Sequence, residues 1–411
     1  MCVPAAPARS SRSATAPRWK TRRRSSRLSE TVPLLVVAGT RPETLKLAPV
    51  ARALREDRRR FAVGVCLSGQ HGALARDIAR EVGLAVDFDL GSADDGAPAR
   101  SSGPGPSSLS TSLARLLERL STLIASVKPA GVVVQGDTTT ALAGALAAFH
   151  GGVPCFHVEA GLRTTSPLRP FPEEMNRRLV TRLAALHFAP TEHARENLLA
   201  EGVADAAIHV TGNTIVDALA QFAGAGSRSG VGVATDAAVS DAARPTILVT
   251  LHRREGADAA GAIARAVLEL ASAADVVWIR HPNPTSSAAL AALGGDSRVR
   301  VLDPQPYVAF VSLMRRARVI LTDSGGVQEE APVLGVPVVV LREETDRPEA
   351  VAAGNAVVVG GDASAIVRAC RELLGDRELH DRRSRVTSPF GDGGASPRIA
   401  RAIAGYFDAR G

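Results

Sequence analysis

Aromatic side chains make up only 3% of the 411 residues. Proteins that hold single-stranded nucleic acid without reading its sequence stack bases on aromatic faces, so that class of function has little material here. Cysteine is scarce as well: Cys2, Cys66, Cys155 and Cys370 stand far apart, with no CxxC spacing and no Cys/His cluster. This argues against a zinc ribbon or a disulfide framework, and reads as reduced, buried thiols in a cytoplasmic protein. No apolar run reaches the roughly 18 residues that a membrane-spanning helix needs. The N-terminal arginines are not followed by an apolar segment, so a secretory signal is not expected either.

The formal charge of +7 hints at nucleic acid until it is located. Residues 1 to 30 hold Arg9, Arg12, Arg18, Lys20, Arg22, Arg23, Arg24 and Arg27 against Glu30, which accounts for the whole excess. The remainder is neutral overall and carries no electrostatic invitation to DNA, RNA or an acidic membrane. Residues 1–31 read as a disordered extension, or as the product of an upstream start codon.

What the chain does have is a repeated alternation of short apolar runs with amphipathic segments, the pattern of an α/β protein with parallel sheets. Strands are expected at Leu34–Ala38, Phe61–Leu67, Gly131–Val134, Cys155–Val158 and His187–Pro190, with helices over Leu45–Leu54, Leu109–Ser126, Ala141–Phe149 and from Asn213. The 91–108 stretch, rich in Gly, Pro and Ser, reads as a mobile loop. A Gly/Ala/Ser stretch at 224–244 reads as a linker, dividing a domain at 32–223 from one at 245–390. The alternation then resumes with strands at Ile247–Thr250, Val276–Arg280, Val299–Leu302, Val319–Leu321 and Val336–Leu341. Helices are expected at Ala260–Ser272 and Val308–Ala317, and residues 391–411 carry a last helix, Pro397–Phe407, that packs back across the domain interface.

Several loops at the carboxyl ends of these strands carry chemistry. Asp323, Ser324, Gly325 and Gly326 open a helix whose free N–H groups and dipole suit a diphosphate. A plain βα turn capped by Asp323 or Ser324 would read the same. Arg41 and Lys46 follow the first strand, where such folds bind anions, although solvated surface charges remain open. Asp137 and Glu159 emerge from neighbouring strands toward the crevice. Helix capping by Asp137 and pairing of Glu159 with Arg163 are the structural alternatives. Glu173 and Glu174 follow Pro172 at a helix start, where acids are favourable in any case.

Taken together, GTRPETLKLAPV (39–50), GDTTTALAGALAAF (136–149), HVEAGLRT (157–164), PEEMNRR (172–178), HFAPTE (187–192), TGNTIVDAL (211–219), HRRE (252–255), DPQPYVAF (303–310), LTDSGGVQEEAPVLGVPVVVLREETDRPEAVAAG (321–354) and PFGDGGAS (389–396) identify a relationship. From about Pro33 to Phe407 the chain resembles the non-hydrolysing UDP-N-acetylglucosamine 2-epimerases. The resemblance implies a glycosyltransferase-B-like fold, two Rossmann-like domains with the active site in the cleft between them, and a homodimer. It also implies that Arg41, Lys46, Ser324, Gly325 and Gly326 hold the diphosphate, Glu330 the ribose, and Gln305 and Phe310 the uracil region, with Arg347 at a further substrate contact. Asp137, Glu159 and Glu173 match the family's catalytic acids, and His252 the histidine near the departing phosphate. No metal or nicotinamide cofactor is implied, and the partner is a UDP-sugar. Departures are Gln135 where the family has His, Leu251 where Gly is common, and GALARD after Gln70-His71, which puts an allosteric nucleotide-sugar site in doubt.

The implied activity interconverts UDP-N-acetylglucosamine and UDP-N-acetylmannosamine. A modified UDP-N-acetylamino sugar such as a diacetamido uronic acid nucleotide, hydrolytic release of N-acetylmannosamine, glycosyl transfer, or sugar-nucleotide binding without turnover are the alternatives. Deleting residues 1 to 30 is expected to leave activity intact; an inactive truncation, assayed beside the full chain, would overturn the reading of the tail.

Overall fold

Val32–Ala38 forms the first strand because its run of branched side chains can be covered on both faces, which parallel sheets demand. The computed structural model describes residues 31–91, 106–223, 244–252, 259–281, 283–385 and 389–410. The expected tail, most of the 91–108 loop, the linker up to residue 243, and Arg253, Arg254 and Glu255 lie outside the described residues.

Thirteen strands are described: β1 (Val32–Ala38), β2 (Phe61–Leu67), β3 (Phe88–Asp89), β4 (Gly131–Gln135), β5 (Cys155–Val158), β6 (Ala184–Ala189), β7 (Ile208–Val210), β8 (Thr246–Thr250), β9 (Asp275–Ile279), β10 (Val299–Leu302), β11 (Val319–Thr322), β12 (Val338–Val340) and β13 (Ala356–Val358). The first seven make one parallel sheet in the order β3-β2-β1-β4-β5-β6-β7, and the last six a second, β10-β9-β8-β11-β12-β13. Each sheet therefore reverses its winding beside its own first strand. The crevice at such a switch point, outside the carboxyl ends of the strands, is where open α/β sheets bind ligands.

The helices of the first lobe are α1 (Arg41–Glu56), α2 (Gly72–Glu81), α3 (Pro106–Val127), α4 (Thr139–His150), α5 (Glu173–Leu183), α6 (Glu192–Ala200) and α7 (Thr214–Ala223). Those that follow are α8 (Ala260–Leu270), α9 (Pro284–Ala292), α10 (Tyr307–Arg316), α11 (Gly325–Val333), α12 (Pro348–Ala352), α13 (Ala363–Gly375), α14 (Arg377–Arg383) and α15 (Ala395–Asp408). No described helix is long and apolar enough to cross a membrane. Cys66, Cys155 and Cys370 are buried free thiols.

Apolar spacing locates helix middles better than helix starts. Helix α1 begins at Arg41 rather than Leu45, because Thr40 and Glu43 form a reciprocal capping box ahead of the first apolar residue. Helix α4 starts two residues before Ala141 because the Thr138 hydroxyl accepts the Ala141 N–H at 3.0 Å. Strand β12 is shorter than Val336–Leu341, and Pro337, having no N–H, offers the ladder only its carbonyl, which accepts from Ile320.

The lobes share apolar surface. Leu45 and Ala48 of α1, with Ile215 and Leu219 of α7, belong to the same buried cluster as Val311, Met314, Val327 and Ala331 of the second lobe. The chain then returns: α15 buries Ile399 and Ile403 in the first-lobe core, with Tyr406 and Phe407 edge-on to Phe156. At the crossing, Gly212 and Gly391 lie back to back, both at positive φ, and a Cβ on Gly391 would come to 3.0 Å from the Gly212 Cα. The carboxylate of Asp217 then accepts the backbone N–H groups of Ala395 and Ser396, fixing where α15 begins.

The Glu43 carboxylate accepts the N–H groups of Gly39 at 3.0 Å and Thr40 at 2.8 Å, and the Thr138 hydroxyl at 2.5 Å. It thus ties the loop after β1 to the loop after β4. Burial raises its pKa to about 7, the hydrogen bonds offsetting only part of that rise. Between about pH 4.5 and about pH 7 the folded protein therefore keeps a proton that the unfolded chain has released. Stability is lost as pH rises through this window and is flat above it. In Glu43→Gln this component is absent, so urea midpoints measured from pH 5 to 8 should move in the variant's favour as pH rises. Parallel curves for the two proteins would contradict the assignment.

Candidate active site in the cleft

Two switch points face each other across the cleft, and the loops that leave them carry the chemistry. From the first lobe, β1 runs into Gly39, Thr40 and Arg41, β4 into Gly136 and Asp137, and β5 into Glu159. From the second, β8 runs into His252, β10 leads to Gln305, and β11 delivers Ser324, Gly325 and Gly326 to the start of α11. Glu159 sits in the left-handed region, with φ of +63°. For a residue with a Cβ this costs on the order of 1 kcal/mol, so the surrounding contacts must over-determine its carboxylate.

Those contacts are ionic, and they cross the cleft. Lys46 Nζ lies against Glu159 and at 2.8 Å from Glu329 Oε2 of α11. Arg347 reaches Glu329 Oε1 at 2.8 Å through Nε and Glu159 Oε1 at 3.6 Å through Nη2. Asn213 Nδ2 donates to Glu159 at 3.3 Å. Arg347 also meets Asp346 Oδ2 at 2.7 Å, and Asp346 in turn accepts from Arg177 of α5 at 3.0 Å and from Arg342 at 2.8 Å. Arg177 donates through Nε to Asp137 Oδ2 at 2.8 Å. Seven charges of alternating sign thus run Asp137, Arg177, Asp346, Arg347, Glu329, Lys46, Glu159.

Burial would discharge such groups one by one, and their partners decide otherwise. Burial works against the Lys46 ammonium, but Glu159 and then Glu329 outweigh it and hold the pKa above the ordinary lysine value. Asp137 is raised by desolvation yet ends below the usual carboxylate range, because Arg177 and then Arg347 prevail. Glu329, flanked by Lys46 and Arg347, also ends low. For Glu159 desolvation wins and the pKa is raised: Lys46 offsets burial only in part, and Glu329 adds to the rise.

The opposite wall offers an anion-binding surface. Ser324 occupies the cap position of α11 without using its side chain as a cap, so the alternative of a plain side-chain-capped turn is not what the structure shows. Asp323 instead accepts the His252 N–H at 2.7 Å, bracing β11 against the loop after β8. A Cβ on Gly325 would meet the Arg347 guanidinium at 3.2 Å, so the bare backbone lets that cation approach the helix start. Arg41 donates to the Gln305 carbonyl at 3.0 Å, while the Gln305 side chain turns to the Asp303 carbonyl at 2.7 Å. Phe310 is partly buried against the shared apolar cluster. Glu330 is buried, its Oε2 has no hydrogen-bond partner among the described residues, and burial pushes its pKa up to about 8.

His252 is exposed at the cleft, with protein atoms packed about its ring. That crowding, with His281 at 4.7 Å and the Arg41 charge, holds its pKa below the ordinary histidine value. Neutral at physiological pH, it can donate or accept a proton.

Of the residues singled out in the sequence, Lys46, Glu159 and Arg347 meet directly, and Asp137 joins them through Arg177 and Asp346. Arg41 and Gln305 meet across the cleft, while Ser324, Gly325 and Gly326 share one helix start and Glu330 lies farther along the same helix. Glu173 stands at the first position of α5. Its neighbour Glu174 is consumed structurally, accepting from Thr164, Arg177 and Arg178. Arg163 pairs with Glu201 rather than Glu159, and Thr138 rather than Asp137 caps α4. Glu329, Asp346, Arg177 and Asn213 were not singled out, although each lies in a motif quoted above.

A sequence profile described as UDP-N-acetylglucosamine 2-epimerase matches residues 52–404. The UDP-N-acetylglucosamine 2-epimerase of Salmonella typhimurium is 41% identical over 381 residues, covering 91% of this chain and 98% of that protein. The crystal structure of the Neisseria meningitidis UDP-GlcNAc 2-epimerase bound to UDP-GlcNAc superposes with a TM-score of 0.84 at 36% identity, covering 91% of this chain and all of that one. The glycosyltransferase SnogD of Streptomyces nogalater, 21% identical with a TM-score of 0.57 over 92% of this chain and 99% of that chain, shares the fold alone. With two facing Rossmann-like lobes, charged loops at both switch points and this degree of identity along nearly its whole length, the chain belongs to the UDP-N-acetylglucosamine 2-epimerase family.

Proposed function

We propose that the protein is a cytoplasmic, non-hydrolysing 2-epimerase that interconverts UDP-N-acetylglucosamine and UDP-N-acetylmannosamine for cell-envelope polysaccharide precursors. The observation that carries this reading is the meeting of Glu159, Lys46 and Arg347 in one buried cluster between the lobes. A pure binder of an anionic ligand has no use for carboxylates converging on its cations. Lys46, Arg41 and Arg347, with Ser324 and the N–H groups at Gly325 and Gly326, take the diphosphate. Glu330 takes the ribose hydroxyls, for which a buried oxygen without a partner is suited. Gln305 and Phe310 flank the uracil.

The C2 proton of the sugar is weakly acidic, so departure of UDP leads. The C1–O bond breaks with its electron pair going to the diphosphate, a carboxylate takes the C2 proton, and a C1=C2 double bond forms in 2-acetamidoglucal. UDP oxygen then re-adds to C1 while a proton is delivered to the other face of C2. Asp137, Glu159 and Glu173 stabilise the oxocarbenium-like transition state and move the proton. Burial raises the pKa of Glu159, so it holds a proton more readily than an ordinary carboxylate would. His252 assists the departing phosphate.

Incubation with UDP-N-acetylglucosamine in D₂O should give the epimer with deuterium at C2, read by NMR and product mass; unchanged sugar would sink the proposal, and free N-acetylmannosamine would mark a hydrolase. Turnover compared across UDP-sugars decides whether a modified amino sugar is the better substrate. Asp137→Asn and Glu159→Gln should each keep UDP binding and lose about 10²-fold or more in turnover. Near-parental activity would remove that residue from the catalytic set.

The protein works as a homodimer, on the same reading. Met175 and Leu179, one turn apart on α5, and Phe171 just before it expose large apolar surface, of the kind a two-fold contact would bury against its own copy. Sedimentation equilibrium should return twice the chain mass, and monomer for Leu179→Arg. A monomeric parent protein at micromolar concentration would refute this.

A further inference from the structure

Asp346 belongs to the second lobe, is wholly buried, and holds Arg177, Arg342 and Arg347. Its Oδ2 faces Arg177 of the first lobe at 3.0 Å and Arg347 of its own lobe at 2.7 Å, while Oδ1 takes Arg342 at 2.8 Å. Arg177 is itself shared. The guanidinium that meets Asp346 through Nη2 also grips Asp137 Oδ2, at 2.8 Å through Nε and 2.7 Å through Nη2. Asn176, next to it on α5, donates to the Asp137 carbonyl at 2.8 Å and fixes the backbone of the same loop. Asp137 therefore has its main chain set by the first lobe, while its carboxylate is aimed by an arginine that is anchored in the second.

We infer that Asp346 is a positioning residue for the epimerisation: through Arg177 it sets the Asp137 carboxylate in its reacting orientation only when the two lobes are together. A planar guanidinium can satisfy two carboxylates at once only along fixed directions. With Asp346 in place, the plane of Arg177 is fixed, and so is the Asp137 oxygen bonded to it. Without Asp346, Glu174 is left as the other carboxylate on Arg177, bonded to Nη1 at 3.3 Å, and the fork is free to turn about that contact. Arg347 loses less, because Glu329 still holds its Nε. The effect thus falls on the chemistry and spares the nucleotide, and it makes the acid from one lobe dependent on the arrival of the other. This rests on the epimerase reading given above.

The test is Asp346→Asn in the full-length protein, with steady-state kinetics on UDP-N-acetylglucosamine and calorimetric titration with UDP on the same preparation. The expected result is a fall in kcat of about 10²-fold, the size produced by a misplacement near 1 Å, with UDP affinity close to that of the parent. Arg177→Lys, which keeps the buried charge but loses the fork, should show the same split, and adding Asp346→Asn to it should cost little more, since both act through one link. A kcat near the parental value in Asp346→Asn, a loss of UDP affinity equal to the loss in kcat/KM, or full additivity of the two substitutions would each overturn the inference. Should Asp346→Asn fail to fold, Arg177→Lys alone decides, and an unchanged kcat there overturns it. A parent protein that does not epimerise would instead refute the functional reading, a separate outcome.

Discussion

Charge alternation across the cleft is the constraint on which the rest of the site depends. A buried carboxylate or ammonium without a partner is costly by several kcal/mol, and none of Lys46, Glu159, Glu329, Asp346 or Arg347 has enough solvent contact to avoid that cost. That cost is offset by the next member of the chain, which in three cases comes from the other lobe: Lys46 with Glu329, Glu159 with Arg347, Arg177 with Asp346; for Glu159 the offset is only partial. The contacts that keep these groups charged are thus contacts between domains. Ionisation state and lobe arrangement are one property here, seen from two sides.

The fold makes this arrangement possible with few residues. Each sheet reverses its winding beside its first strand, so each lobe presents two adjacent loop mouths at one point. Set face to face, the lobes bring together loops from β1, β4 and β5 on one side and from β8 and β11 on the other. The apolar cluster linking α1 and α7 to α10 and α11 fixes the approach, and the return of α15 onto the first-lobe core ties the chain's end to its beginning. Buried apolar area holds the lobes together, while the ion pairs, whose net worth after desolvation is small, specify their register.

Much of the fold was legible in the sequence because parallel strands buried on both faces are written as mainly apolar runs: β2 and β5 fall on the expected residues, and so does β10, although it is an edge strand with its two middle residues exposed. Helix starts were less legible, since Thr40, Glu43 and Thr138 set them through side-chain bonds that periodicity does not see. Short elements such as β7 and α12 carry too little pattern to stand out. In the site, residues at strand ends, including Asp137, Glu159 and Ser324, could be named because glycine loops and resemblance mark them. Glu329 and Asp346 could not, because their meaning lies in partners far along the chain. Lys46 and Glu329 are 283 positions apart, and no local spacing records that they touch.

Glu329 and Glu330 show how finely the resulting field is divided. They are consecutive residues of the same type on one short helix, both buried. Glu329 points between Lys46 and Arg347, at 2.8 Å from each, and ends below the ordinary carboxylate range. Glu330, one position on and therefore about 100° around the helix, is dominated by burial: the Lys46 charge lowers its pKa, Glu329 raises it, Arg41 lowers it a little more, and burial prevails, so that the pKa climbs to about 8. At neutral pH one member of the pair is an anion committed to its cations, and the other is largely a neutral carboxyl able both to donate and to accept. A vicinal diol, which offers hydroxyls and no charge, is better met by the second than by the first. Two acids pushed apart in this way divide the work of the helix: Glu329 joins the lobes, and Glu330 keeps a carboxyl oxygen without a partner among the described residues, as the proposed ribose contact requires.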